Sequence, residues 1–208
     1  MKISLRLKTI CDLVPNNSNI IDVGADHAYT SIYLEKEKHC KCLATDISEN
    51  SIKKANNNIK KYDSNVKTLK TDGLNNIKLN NQIIIISGMG THTIMNILNK
   101  PITNDIIISS HTEVPILRKF MFKKGYHIYK EIAIKDKHFY IITYYKYGKK
   151  KTNPILSPFL TNNKEYMQYL YNYYYMKFSY ETKKLQKIKY KNILLKIKKI
   201  INKENGKN

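Results

Sequence analysis

Four isoleucines in succession, Ile83 to Ile86, run into Ser87-Gly88. In an extended chain neighbouring side chains point to opposite faces, so this run leaves no face for water and predicts a strand covered on both sides. A parallel sheet meets that need, because each crossover lays a helix over one of its faces. More units of the same kind should then flank it, and they do. Strand-like runs near 20–24, 41–46, 66–70, 83–87 and 105–109 alternate with helical patterns near 27–37, 48–61, 91–99 and 112–124. A short helix from Ser4 to Val14, stopped by Pro15, precedes them. Two further runs, near 127–134 and 138–146, are separated by too few residues for a crossover and predict a hairpin. The expected fold class is α/β, an open doubly wound sheet with an antiparallel edge hairpin.

Past Tyr147 the character changes. Gly148-Lys149-Lys150-Lys151-Thr152-Asn153-Pro154 has the composition of a linker, which predicts a sheet domain over 1–150 and a basic helical domain over 151–208. Met167, Leu170, Tyr171, Tyr174 and Phe178 share one helical face, and Tyr190, Leu194, Ile197 and Ile201 keep the spacing of a coiled-coil seam. No Gly or Pro marks a turn between them, so one bent helix and two paired helices both fit.

The chain carries 37 Lys+Arg against 16 Asp+Glu, a net charge of +21, and such a field attracts polyanions. Lys, Asn, Ile and Tyr are also what A/T-rich codons supply, so compositional drift and a nucleic-acid footprint are both available explanations. Distribution bears on the choice: residues 1–150 hold 24 positive and 13 negative side chains, residues 151–208 hold 13 and 3. The tail is the more basic part per residue. Only Arg6 and Arg118 are arginines, which points to positions where a planar fork is needed. Three cysteines in no CxxC pattern fit a reducing, cytoplasmic setting. His39-Cys40-x-Cys42 lies in a strand with both sulfurs on one face and no further ligands close by in sequence, so no metal is expected. The N-terminus has no continuous apolar segment of the signal-peptide kind, and no run approaches a membrane span.

Glycine is scarce, seven in all, and Gly24, Gly73, Gly88 and Gly90 sit at or just past the carboxyl ends of predicted strands. That edge is where open α/β sheets bind ligands. Acids mark it too. Asp46 closes the second strand, where a carboxylate can accept both hydroxyls of a ribose, and Asp72 ends the third beside Gly73, placed to meet an adenine amino group. Together with Gly24 they outline a pocket for an adenosine bearing a polar extension. A dinucleotide would need G-x-G-x-x-G for its pyrophosphate. Gly24-Ala25-Asp26-His27-Ala28-Tyr29 has only the first glycine and sets a carboxylate where phosphate would go. It suits S-adenosylmethionine, whose ammonium and sulfonium are cationic.

These residues resemble the bacterial tRNA (adenine-N1)-methyltransferases acting on position 22, the TrmK family, from Leu5 to about Tyr145. Asp22-Val23-Gly24-Ala25-Asp26-His27-Ala28-Tyr29 is similar to that family's D-I-G-S-D-H-A-Y, Thr71-Asp72-Gly73-Leu74 to its G-D-G-L, and Ser87-Gly88-Met89-Gly90 to its A-G-M-G-G. Ser4-Leu5-Arg6-Leu7 resembles its opening helix, Arg118 falls in a helix where it also carries Arg, and Ser157-Pro158-Phe159-Leu160 resembles the start of its C-terminal helical domain. Ala25 stands for the usual serine, Thr91 for the second glycine of G-M-G-G, and Ser109-Ser110-His111 where Q-P-N is common.

The resemblance implies a Rossmann-like class I methyltransferase sheet and a cytoplasmic, monomeric enzyme that moves a methyl group from S-adenosylmethionine to N1 of a D-arm adenine in tRNA, without metal or membrane. Asp22, Gly24, Asp26, Asp46, Ile47, Asp72, Gly73, Gly88 and Met89 would bind the cofactor. Arg6, Tyr29, Gly90 and Arg118 would bind the substrate. Asp26, His27 and His111 would be catalytic, with Asp26 offsetting the positive charge gained by the methylated ring. Plainer roles compete at several of these positions: a helix cap for Asp26, a structural imidazole for His27, and core packing for Met89 and Tyr29. For the tail the alternatives are a solvated or self-pairing helix and a tRNA clamp built on Lys183, Lys184, Lys187, Lys189, Lys191, Lys196, Lys198 and Lys199. A class I methyltransferase for another RNA position or substrate, and an inactive RNA-binding relative, are the rival functions.

Overall fold

The computed structural model describes residues 1–136, 138–148 and 155–205. The chain forms two compact units, Met1–Ile155 and Leu156–Asn208. Most of the predicted linker, 149–154, lies outside the described residues.

In the first unit α1 (Leu5–Leu13) leads into β1 (Asn19–Val23), α2 (Tyr29–Lys38), β2 (Lys41–Asp46), α3 (Glu49–Lys61), β3 (Lys67–Lys70), β4 (Ile83–Ser87), α4 (Thr91–Ile97), β5 (Ile106–Ser110) and α5 (Val114–Lys123). The hairpin β6 (Tyr126–Lys135) and β7 (Phe139–Tyr147) completes a seven-stranded sheet in the order β3-β2-β1-β4-β5-β7-β6. The first five of these strands are parallel, and β7 joins β5 antiparallel.

The isoleucine run divides as its period of two requires. Ile85 packs with Ile10, Ile32 and Ala55 under α1, α2 and α3. Ile84 and Ile86 pack with Ile94, Leu117 and Met121 under α4 and α5. All three isoleucines are fully buried, and removing that much apolar surface from water supplies the main drive for forming the sheet. Local signals set the ends of the helices. Ser4 Oγ accepts from Leu7 N at 3.3 Å to cap α1, Ser48 Oγ accepts from Ser51 N at 3.4 Å to cap α3, and a proline opens α5. Strand order reverses between β1 and β4, so the crevice between their carboxyl ends is the place where this topology accepts a ligand.

The second unit holds two helices, α6 (Lys164–Tyr180) and α7 (Lys184–Asn205), and so decides for the paired alternative. Glu181 leaves helical geometry with ψ 124°, and its carboxylate accepts from Lys183 N at 3.0 Å, stabilising the turn without Gly or Pro. On α6 Tyr166, Met167, Leu170 and Tyr174 are buried. On α7 Ile193 and Ile197 are buried while Leu194 is only half so, which rotates the seam by one residue from its expected line. No helix among the described residues is long and apolar enough to cross a membrane.

Candidate functional site

The turn after β1 has a tightly constrained backbone. Gly24, Asp26 and Ala28 all have left-handed φ, at 70°, 46° and 57°. Glycine adopts that region freely and Asp tolerates it, but for alanine it costs about 1–2 kcal/mol. The end of β2 holds the turn in place. Gly24 N and Ala25 N both donate to the Thr45 carbonyl, at 2.8 and 2.9 Å. The Asp46 carboxylate accepts from Asp26 N at 3.2 Å and from Ser48 N at 2.8 Å. A Cβ at position 24 would also lie 2.0 Å from Cε of Met89, so the methionine tip would have to swing aside; the left-handed φ is the stronger demand for glycine. The glycine therefore leaves backbone bare beneath a methionine that reaches over from β4.

Beneath this turn, between β1, β2, β3 and α4, lies a cleft of about 430 Å³, within the usual range of small-molecule sites. Gly24, Asp46, Ile47, Asp72, Gly73 and Met89 line it, all residues expected to hold the cofactor. Ile47 is 65% exposed and so serves no core; it offers an apolar shelf beside the two carboxylates. One wall had no counterpart in the expectations: Thr93, Asn96, Ile97 and Lys100 line the cleft at helical spacing. Their i, i+3, i+4, i+7 pattern was the available signal, masked by the short span of α4. Glycine is needed at position 73 because φ is 57° and a Cβ would come within 3.1 Å of Ile97.

Asp26 stands exposed at the rim, with the half-buried His27 beside it. His27 Nε2 lies 3.3 Å from Asp26 Oδ2, and Lys54 Nζ lies 3.9 Å from Asp26 Oδ1. Tyr29 stacks on His27 with centroids 5.5 Å apart. The capping alternative for Asp26 does not hold, because α2 begins after Ala28 and no side chain caps it. Across the sheet, His111 follows β5 and Arg6 approaches Gly88, whose Cβ, if present, would lie 3.5 Å from Arg6 Nη1. Burial, then His138 and Arg6, lower the His111 pKa and favour its neutral imidazole. Gly90 is exposed with φ −69°, so its backbone makes no demand for glycine. Thr91, at the departure from G-M-G-G, is buried and donates from Oγ1 to the Thr112 carbonyl at 2.6 Å, tying α4 to the β5–α5 loop.

Two expected site residues are corrected. Arg118 does not face a substrate: it is fully buried, with Nη2 donating to both Glu131 oxygens at 2.8 and 3.0 Å. The planar fork is used, but inside the fold. Asp22 does not reach the cleft either. It is buried on the α2 side of the sheet, where it accepts from Ser31 Oγ at 2.9 Å.

Burial pushes the Asp22 carboxyl up to about 6, against the pull of the Ser31 hydroxyl. A carboxyl whose pKa is raised by folding favours the folded state when protonated. That contribution is complete below its ordinary 3.8 and is lost as pH rises through about 6. Asp22→Asn, uncharged and still able to accept from Ser31, is therefore expected to be more stable than the native chain at pH 8, by about 2–3 kcal/mol. The gain should vanish near pH 4. Thermal unfolding at both pH values checks this, and an equal difference at the two would contradict it.

A doubly wound sheet whose first strand ends on a bare glycine turn, and whose second and third end on acids around one cleft, is the architecture of a class I methyltransferase domain. Residues 3–143 match the family model described as a methyltransferase domain, and the chain belongs to that family. A Mycoplasma genitalium protein provisionally named a tRNA methyltransferase is 29% identical over 142 residues, 64% of this chain and 65% of its own length. The tRNA (adenine(22)-N(1))-methyltransferase of Bacillus subtilis is 27% identical over 145 residues, 65% of this chain and 61% of its own. The chain thus spans under two thirds of the length of these curated relatives. Among solved structures, M. capricolum TrmK in complex with S-adenosylhomocysteine superposes with a TM-score of 0.80 at 26% identity, covering 97% of this chain and 99% of that one.

Proposed function

We propose that this chain is a tRNA (adenine(22)-N1)-methyltransferase using S-adenosylmethionine. The carrying observation is the charge pattern of one cleft: Asp46 and Asp72 line it, and Asp26 stands at its rim where a dinucleotide fold would receive phosphate. A carboxylate there repels NAD and favours a cofactor whose polar end is cationic. The names of the relatives support the same reading, as does the lining of the cleft, where Gly24 and Gly73 present backbone beside Asp46 and Asp72.

S-adenosylmethionine supplies an already activated methyl group, so the protein's work is to bind, orient and neutralise. Asp46 accepts from the ribose hydroxyls and Asp72 from the adenine amino group. Gly24 lets the amino-acid end approach backbone. On the acceptor side, N1 lies on the Watson–Crick edge, so the adenine must leave its stack, at a few kcal/mol. Tyr29, stacked on His27 and exposed at the rim, offers a flat surface to receive it. Asp26, held by His27 and Lys54, is the carboxylate available to offset positive charge on the methylated ring. The three cysteines are free and buried, in keeping with a reducing cytoplasm.

The deciding experiment incubates the protein with labelled S-adenosylmethionine and unmodified tRNA. Transfer that disappears when the D-arm adenine is replaced supports the reading. Transfer to another acceptor makes this a methyltransferase of different target, and tight RNA binding without transfer makes it an inactive relative.

The tail is the proposed phosphate-binding surface, since Lys189, Lys191, Lys196 and Lys198 are all exposed on α7. Replacing these four by glutamine is expected to weaken tRNA binding and to flatten the plot of log affinity against log salt by roughly 3. Cofactor affinity should be unchanged. An unaltered salt slope, read by filter binding from 50 to 200 mM salt, would move the RNA surface elsewhere.

A further inference from the structure

Four side chains from three separate parts of the chain, α1, the end of β5 and the β6–β7 hairpin, converge at the carboxyl end of β5. Tyr140, buried on β7, is the hub. The Arg6 guanidinium lies 5.1 Å from the centroid of its ring. His111 meets that ring edge-on at 5.3 Å, and His138, from the turn between β6 and β7, does so at 5.9 Å. The two imidazoles stack on each other, with centroids 5.1 Å apart and planes 15° from parallel.

Stability alone gives little reason for this arrangement. His138 is exposed, so ordering it in a stack loses rotamer freedom while burying little. Arg6 is the fixed charge of the cluster, and among the described residues no carboxylate lies within ion-pair distance of it. A flat imidazole stack beside an uncompensated guanidinium is complementary to a nucleotide, with the base on the ring and the phosphate on the fork. The cluster also adjoins the cleft: Arg6 flanks Gly88, and the next residue, Met89, lines the cleft.

We infer that Arg6, Tyr140, His111 and His138 form a second nucleotide seat, taking the base that flanks the methylated one on His138 and its phosphate on Arg6. The inference rests on the RNA-acceptor reading above. Extruding one purine strips its neighbour of a stacking partner. A protein ring that replaces the partner lowers the cost of extrusion, and His138 is positioned on the hairpin to be that ring.

The test uses the full-length protein, an unmodified tRNA transcript, and the variants His138→Ala and His138→Phe. His138→Ala is expected to raise KM for tRNA about tenfold, the scale of a lost base–aromatic stack. Its kcat and S-adenosylhomocysteine affinity should stay native. His138→Phe keeps a flat ring and should restore KM to within about twofold of native. A native KM in His138→Ala, or equal impairment in both variants, would overturn the seat. Should the native chain methylate a different RNA, the tRNA reading falls, and the same KM comparison on that RNA still decides the seat. Should it bind tRNA without transfer, equilibrium binding of tRNA by the three proteins decides it instead.

Discussion

Asp46→Ala is expected to weaken S-adenosylmethionine binding by about two orders of magnitude. In the structure the Asp46 carboxylate already accepts from Asp26 N and Ser48 N, at 3.2 and 2.8 Å, while lining the cleft. It fixes the turn after β1 and, in the proposed function, also presents acceptors to a ribose. Hydrogen bonds to a charged group contribute about 1.5–3 kcal/mol each. Losing the ribose contacts and the support of the turn together comes to about 3 kcal/mol, which is about a hundredfold in affinity. Asp46→Asn keeps one acceptor oxygen and should fall between the two. Calorimetry with S-adenosylhomocysteine measures all three proteins. Native affinity in Asp46→Ala would mean that the nucleoside does not lie against β2, and the assignment of the whole cleft would go with it.

That Asp46 could be picked out beforehand follows from the kind of fold involved. In a parallel sheet every strand delivers its carboxyl end to the same edge, so a glycine or acid just past an apolar run has a known location before any tertiary contact is considered. Gly24, Asp46, Asp72 and Gly73 were readable for that reason. Asp22 was not, because it lies inside the strand, where the pleat alone decides which face it points to; β1 turns it toward Ser31. His138 was beyond reach for a different reason. Its meaning comes from stacking on His111, 27 positions earlier in the chain, and nothing local distinguishes a hairpin histidine that does so. The turn between α6 and α7 was also hidden, since Glu181 ends the helix through a side-chain bond to Lys183 N rather than through Gly or Pro.

Arg118 is the largest such case, and it carries the largest expected effect on stability. Arg118→Met is expected to cost about 3–5 kcal/mol, because it leaves the Glu131 carboxylate buried without its cation. The guanidinium and the carboxylate are both fully shielded from water, joined by two bonds of 2.8 and 3.0 Å. Thr143 Oγ1 donates to the same carboxylate at 2.7 Å, and Arg118 Nη1 donates to the Ile155 carbonyl at 3.1 Å. Arg118→Lys should recover little of the loss, since an ammonium cannot make the paired contact. Arg118→Met with Glu131→Leu removes both charges and should regain at least half of it, as buried ion pairs replaced whole by apolar residues often do. Urea denaturation of the four proteins checks the series, and a double variant no better than Arg118→Met would show that the ion pair is not what the single change breaks. The position of the pair gives it a second consequence. It joins α5, which follows the His111 loop, to β6, which with β7 forms the hairpin bearing His138 and Tyr140. Loosening it should therefore also disturb the stacked imidazoles, so that at temperatures where Arg118→Lys is still folded its KM for RNA rises while its affinity for S-adenosylhomocysteine, proposed to lie against β1, β2 and β3, does not.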